Sequence, residues 1–251
     1  MQSLTHDLIA RASLPPATPV PGLAGVGSPD EAHLKAELQV FLHGYPEGRG
    51  LWLFAYGTLM AKPEAASPDI VAGAKVAGHV RAYSLYDVSD RGTREAPGLT
   101  PAVEKGPEGA VSSCAGVLLH LPAEGLRDRL WPAWKREMAP GFYEPGWVDS
   151  IMLPSGAPVR AATFLPKRGH PLYAGRLPVG TVADRLARAR GPNGTAAAYL
   201  LDASAALRAR GLRDAGLEML EAEVARRLAV ERPGRDGAAA SRPRVRVSPG
   251  R

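Results

Sequence analysis

Leu51-Trp52-Leu53-Phe54-Ala55-Tyr56-Gly57-Thr58-Leu59-Met60 is an apolar, aromatic-rich run that ends in a glycine followed by a hydroxyl residue. The pattern predicts a buried strand running into a tight loop. Unbroken hydrophobicity means that both faces are covered, and the run is far shorter than the roughly 20 apolar residues that cross a bilayer. Gly57 is the informative position, because a residue without Cβ can take φ > 0 and let a ligand approach the main-chain N–H groups. On these residues alone, a core strand followed by an ordinary glycine turn is the simpler reading.

Outward from this run, short apolar stretches recur between turn signals: Leu51 to Ala55, Lys75 to Tyr86, Leu99 to Val103, Ala115 to Leu121, Gly146 to Leu153 and Pro158 to Leu165. That spacing predicts an antiparallel sheet, closed or nearly closed on itself, over residues 50–165. One helical stretch interrupts it, with Leu126, Leu130, Trp131 and Trp134 on one apolar face. Pro132 predicts a kink or restart there. Glu137 falls at the edge of that face, just before Pro140-Gly141. Helical patterns fill residues 178–230, separated by Gly191-Pro192-Asn193-Gly194 and Gly211. Strands followed by helices predict an α+β domain over 29–230.

An accessory helix is expected over 30–43, where Leu34, Leu38, Phe41 and Leu42 share a face. Residues 1–28, rich in Pro, Gly and Ala, read as a flexible or surface-draped N-terminal extension. Their Gly22, Gly25 and Gly27 are no dinucleotide fingerprint, since neither a strand before them nor a helix after them is present.

The chain has 251 residues, enough for one sizeable core. Its formal charge of +6 is unevenly placed: residues 231–251 carry six arginines against Glu231 and Asp236. That segment reads as a disordered, solvated basic tail, with a tether to an anionic surface as the alternative. No nucleic-acid partner is expected. Cys114 is the single cysteine, which excludes an intrachain disulfide and a multi-cysteine zinc site and fits a reducing compartment. Residues 1–7 lack a basic segment followed by an apolar one, so neither a signal peptide nor a membrane span is expected, and the cytoplasm is the default location.

The six histidines, His6, His33, His43, His79, His120 and His170, are scattered without a ligand spacing, so no metal site is expected. No Gly-x-Ser-x-Gly elbow or phosphate loop occurs, and nothing marks Cys114 and His120 as a catalytic pair. Carboxylate acid/base chemistry remains. Most acids, such as Glu95, Glu104, Glu108, Glu218, Glu221 and Glu223, lie in turns or on helix surfaces. Glu137 sits beside a double-tryptophan face, where partial burial would raise its pKa toward the range of a general base. A salt-bridged surface glutamate at a helix end is the ordinary alternative.

Phe54-Ala55-Tyr56-Gly57-Thr58-Leu59-Met60, Lys135-Arg136-Glu137-Met138 and Gly141-x-Tyr143-x-Pro145-x-Trp147-Val148 together resemble blocks of the ChaC family of γ-glutamylcyclotransferases, which act on glutathione. His170-Pro171-x-Tyr173-Ala174-Gly175, then Arg190-Gly191-Pro192-x-Gly194 followed by Tyr199-Leu200, look like that family's later blocks in the same order. The resemblance covers residues 51 to about 225.

It implies a small mixed β-barrel with flanking helices and a substrate pocket at the barrel mouth. It also implies a reaction without metal or other cofactor on a small-molecule substrate: the α-amine of a γ-glutamyl group attacks its own γ-carbonyl, forming 5-oxoproline and expelling the rest, which for glutathione is Cys-Gly. Glu137 matches the family's catalytic glutamate, a general base that then serves as acid. Tyr56, Gly57, Thr58 and Leu59 would present backbone donors to the oxyanion or to the substrate α-carboxylate, with Arg91 and Tyr143 as further substrate-binding residues.

The chain departs from the family pattern at four places. Thr58 replaces the usual serine, Val88-Ser89-Asp90-Arg91-Gly92 is a shortened loop without its histidine, Glu144 stands where an arginine is common, and Ala197-Ala198 precede Tyr199. A charge reversal at Glu144 would call for compensation by Arg91, Arg94 or Arg136. The same chemistry on another γ-glutamyl amine or peptide is therefore one alternative, and a non-catalytic binding protein with a basic tail is another.

Overall fold

In the computed structural model, which describes residues 3–23 and 27–230, strand β1 spans Leu51–Ala55 and is covered on both faces. Leu51, Leu53 and Ala55 join one buried cluster, whereas Phe54, followed by Tyr56, joins a second. The period-2 alternation of a strand thus sends its two sets of side chains into separate cores. Each fully buried leucine or phenylalanine contributes roughly 1.5–3 kcal/mol.

Four further strands close a barrel with β1: β2 (Ile70–Ala77), β5 (Ser113–Leu121), β6 (Tyr143–Leu153) and β7 (Pro158–Pro166), in the order β1-β5-β2-β6-β7. The β1/β5, β5/β2, β2/β6 and β6/β7 pairs are antiparallel, with Leu51 opposite Leu121 and Tyr143 opposite Pro166. Closure comes from a parallel contact of β1 with β7 at Leu53 and Ala162, so the barrel is mixed. The antiparallel reading of the apolar runs fails at this one seam, and the mixed barrel that the family resemblance implies is what the chain forms. A second departure concerns β3 (His79–Asp87) and β4 (Gly98–Lys105), which pair only with each other, as a hairpin with an irregularity between Ala82 and Leu85.

Helices flank the barrel. After a short helix α3 (Thr58–Ala61) at the end of β1, α4 (Leu126–Met138) runs unbroken through Pro132. The expected restart at that proline is therefore absent: Leu130, Ala133, Trp134 and Met138 are buried along one stripe, and that packing carries the turn that the proline weakens. Trp134 packs against Phe41 and Phe164, which brings α2 (Glu31–His43) onto α4. The C-terminal part is α5 (Val179–Arg188), a two-residue β8/β9 hairpin (Arg190–Gly191 with Gly194–Thr195), α6 (Ala196–Arg208) and α7 (Ala215–Val230).

The N-terminal stretch differs from the expected flexible extension. Helix α1 (His6–Arg11) is capped by the Thr5 hydroxyl, and Leu4, Leu8, Ile9, Ala17 and Leu23 are buried in the main core. Its Pro/Gly/Ala composition gave no hint that these few apolar residues find a partner surface. Among the described residues no helix is long and apolar enough to cross a membrane. The basic tail, 231–251, lies outside the described residues.

Candidate active site

At one end of β1 the chain turns through Tyr56 and Gly57 into α3. Gly57 has φ −119°, so the expected left-handed turn is not what requires glycine here. Space is tight instead: a Cβ would lie 3.1 Å from the Tyr199 hydroxyl, which would have to give way by a few tenths of an ångström. The first N–H groups of α3 have no carbonyl of their own helix to bond, so Gly57, Thr58 and Leu59 present donors of the kind an anion needs.

These residues line a cavity with an empty volume of about 670 Å³, open to solvent, that also contains Arg91, Glu137, Tyr143 and Tyr199. Every residue singled out in the sequence as a site candidate therefore faces one cavity. Glu137 arrives from the last turn of α4, between the buried Trp134 and Met138. Gly141, at φ +81°, then reverses the chain, and Tyr143 enters the same cavity at the start of β6.

The Glu137 carboxyl retains 19% of its side-chain exposure and its Oε1 lies 3.7 Å from the Arg136 Nε. Its pKa is pushed up to about 7, chiefly by burial; the Arg136 charge pulls it back and Asp90 adds to the rise. Its own charge is felt by all three cavity tyrosines, Tyr56, Tyr143 and Tyr199, whose hydroxyls are held above the ordinary phenol range first by burial and further by Glu137.

Those hydroxyls are engaged with the scaffold. Tyr56 donates to the Phe164 carbonyl at 2.5 Å and Tyr143 to the Pro101 carbonyl at 2.7 Å. Tyr199 bonds the Thr58 side chain, and the Arg91 guanidinium lies over its ring at 4.7 Å. The Tyr56 carbonyl accepts from Arg81 Nε at 3.1 Å, and Arg81 also meets the Ala115 carbonyl on β5 and Asp214, the residue ahead of α7 whose side chain accepts from the Leu217 N–H of that helix. The end of β1 is thereby tied to a helix far along the chain.

Asp87, Arg81 and Tyr199 escaped the sequence reading as site residues. Asp87, at the end of β3, is buried, and its carboxylate accepts from the N–H groups of Ser89, Asp90 and Arg91 at 3.2, 2.8 and 3.0 Å. This fixes the loop carrying Arg91. An aspartate two to four residues ahead of a Ser-Asp-Arg-Gly turn was the available signal. Arg81 left none, because its partners lie far away in sequence.

The charge reversal at Glu144 is resolved by strand geometry. Tyr143 faces the cavity, so its neighbour points to the other side, and Glu144 is exposed and outside the cavity wall. Of the three proposed compensating cations, Arg91 and Arg136 line the cavity, while Arg94 donates to the Leu23 carbonyl at 2.7 Å. Cys114 is buried, with its thiol raised to about 11 by burial, so it is no nucleophile at neutral pH. Among the described residues no three His, Cys, Asp or Glu side chains gather into a group that could hold a metal.

A family model described as ChaC-like protein matches residues 51–227. A glutathione-specific gamma-glutamylcyclotransferase of Escherichia coli is 34% identical over 198 residues, covering 79% of this chain and 83% of that protein. A glutathione-specific gamma-glutamylcyclotransferase 1 of mouse is 28% identical, covering 63% of this chain and 70% of its own length. Among solved structures, a gamma-glutamyl cyclotransferase specific to glutathione from yeast superposes with a TM-score of 0.63 at 18% identity, covering 72% of this chain and all of that one. At that identity the likeness speaks for the fold: a mixed barrel with flanking helices.

Proposed function

The chain belongs to the ChaC-like family, and from that premise we propose that it cleaves glutathione to 5-oxoproline and Cys-Gly, with Glu137 moving the protons. The observation that carries this reading is the convergence of Glu137, at a pKa of about 7, with the N–H donors at the start of α3 in one cavity.

The chemistry follows from what the reaction demands. An ammonium cannot attack a carbonyl, so the Glu137 carboxylate takes a proton from the γ-glutamyl α-amine. The freed nitrogen adds to the γ-carbonyl carbon, and the resulting oxyanion is held by the backbone donors of Gly57, Thr58 and Leu59. Glu137, now protonated, gives its proton to the cysteinyl nitrogen as the C–N bond breaks, and the second surplus proton of the attacking nitrogen passes to the expelled amine, which leaves as an ammonium while the ring nitrogen becomes a neutral lactam N–H. One carboxyl suffices because it ends in the state in which it began.

Because nucleophile and electrophile are parts of one molecule, holding the glutamyl chain bent removes much of the entropic barrier; effective molarities of about 10⁵ M or more are attainable. Tyr56 and Tyr143 donate to carbonyls and are hydrogen-bonded to each other, so only the lone pairs left over on their oxygens can accept from the substrate ammonium. Arg91, fixed by the Asp87-held loop, is a cation for the substrate α-carboxylate.

The test is a panel of γ-glutamyl compounds offered to the purified chain, with 5-oxoproline measured. Turnover of glutathione with release of Cys-Gly is expected. Turnover of other γ-glutamyl amines with glutathione left intact would move the substrate assignment, and release of no 5-oxoproline from any of them would reject the reaction.

A further inference from the structure

Outside the reaction cavity lies a second, polar depression that shares Ser89, Asp90, Arg91, Arg136 and Pro140 with it and adds Lys62 on one wall. Its empty volume, measured out to open solvent, is about 1180 Å³. The two form an inner chamber and an outer vestibule. On the footing that the chain cleaves glutathione, we propose that Lys62, with Arg136, binds the terminal carboxylate of the departing dipeptide and so selects anionic γ-glutamyl peptides.

Charge supports this assignment. The vestibule is lined by three cations, Lys62, Arg91 and Arg136, and one carboxylate, Asp90, while the Glu137 carboxyl lies 3.7 Å from Arg136 on the chamber side, so Lys62 is the cation with no acid paired to it among the described residues. The Asp90 carboxylate is already occupied: Oδ1 accepts from the Asn193 side chain at 2.7 Å and Oδ2 lies 3.2 Å from the Arg91 guanidinium. Lys62 is exposed and, among the described residues, is ion-paired with no carboxylate. A site with cations in excess over available anions, beside a cavity that must release a peptide, fits an anionic leaving group.

Distance supports it as well. Lys62 closes the turn that begins at Thr58, and its N–H donates to the Thr58 carbonyl at 2.9 Å. One helical turn, about 5.4 Å, therefore separates the oxyanion donors from the Lys62 backbone. An extended dipeptide spans at most about 7 Å. With the scissile carbonyl on the Gly57 to Leu59 donors, a Cys-Gly leaving group directed outward ends within reach of the lysine side chain. The remaining vestibule wall includes Ser28, from the segment ahead of the family match, and Pro29 packs 3.5 Å from where a side chain on Gly141 would begin.

The experiment compares glutathione with its glycine-amide derivative, which has lost only the terminal negative charge, in steady-state kinetics on the full chain, Lys62→Ala and Lys62→Glu. For the unaltered chain the amide should show a KM about three- to tenfold higher at similar kcat, the range that one or two partly screened ion pairs supply. Lys62→Ala should raise the glutathione KM about threefold, and Lys62→Glu further. The amide KM and both kcat values should stay unchanged. Added salt should raise the KM for glutathione more steeply than that for the amide, which keeps only its α-carboxylate pair with Arg91. If both substrates respond equally to the Lys62 changes, or neither responds, the subsite is refuted while cleavage stands. If the unaltered chain turns over neither compound, the reaction assignment fails and the subsite with it.

Discussion

Glu137 carries the sharpest residue-level consequences. Its folded pKa of about 7 exceeds the ordinary value of 4.5, so the fold favours the protonated form. The folded chain then binds more protons than the unfolded chain between those values. Stability present below about pH 4.5 is lost as pH rises to about 7 and stays lost above it, by about 3 kcal/mol. Glu137→Gln removes that charge, so calorimetry should find the variant with a higher melting temperature than the parent at pH 8 and a similar one near pH 4.5. Activity should run the other way: kcat/KM of the parent rises with pH through about 7, as the base ionises. Arg136 opposes the upward shift, so Arg136→Gln should move that rising limb to higher pH, and a limb that stays in place would refute the electrostatic role given to Arg136. Glu137 stood out in the sequence beside a double-tryptophan face, but its role was legible only through the family resemblance, because the residues alone left a salt-bridged surface glutamate as the ordinary alternative. Its partners were less so, since Tyr56 and Tyr143 reach it through long-range folding that no local spacing records.

At the scale of elements, the loop after β3 shows how a buried carboxylate stands in for regular structure. Asp87 satisfies three consecutive main-chain donors, and the loop it shapes presents Arg91 to the cavity. Asp87→Ala should cost about 2 kcal/mol, as buried donors lose their acceptor. It should also lower kcat/KM about tenfold through misplacement of Arg91. Urea unfolding together with kinetics checks both, and a destabilised variant with unchanged kcat/KM would mean that Arg91 does not depend on the loop. In the sequence, an aspartate in a polar turn looks the same whether it is solvated or buried. Most strand positions were readable from runs of apolar residues, except that Lys75 to Tyr86, read as one run, is divided at Gly78 between β2 and β3; which strands pair was not readable. The β3/β4 hairpin has the same composition as the barrel strands, and only tertiary contacts set it apart from them.

For the whole molecule, the main revision concerns the N-terminal stretch. Its helix α1 has only six residues, too short for periodicity to stand out from a background of proline and glycine, yet Leu4, Leu8 and Ile9 are buried and Arg185 donates to the Thr18 carbonyl at 3.0 Å. Leu8→Ala should therefore destabilise the chain by about 2 kcal/mol, measurable in urea unfolding, whereas a free extension would show no change. The barrel, the accessory helix and the C-terminal helices were all legible, because each has a long apolar pattern; the parallel seam came only through the family resemblance and the packed N-terminus not at all, because each rests on contacts between distant segments. The claim that joins these scales is that the fold exists to set one carboxyl against a set of backbone donors. Its most direct test is 5-oxoproline release from glutathione by the purified chain and by Glu137→Gln. Turnover by the parent and a loss of at least about 10²-fold in a still-folded variant are expected. Equal turnover by the two proteins would contradict the role of Glu137.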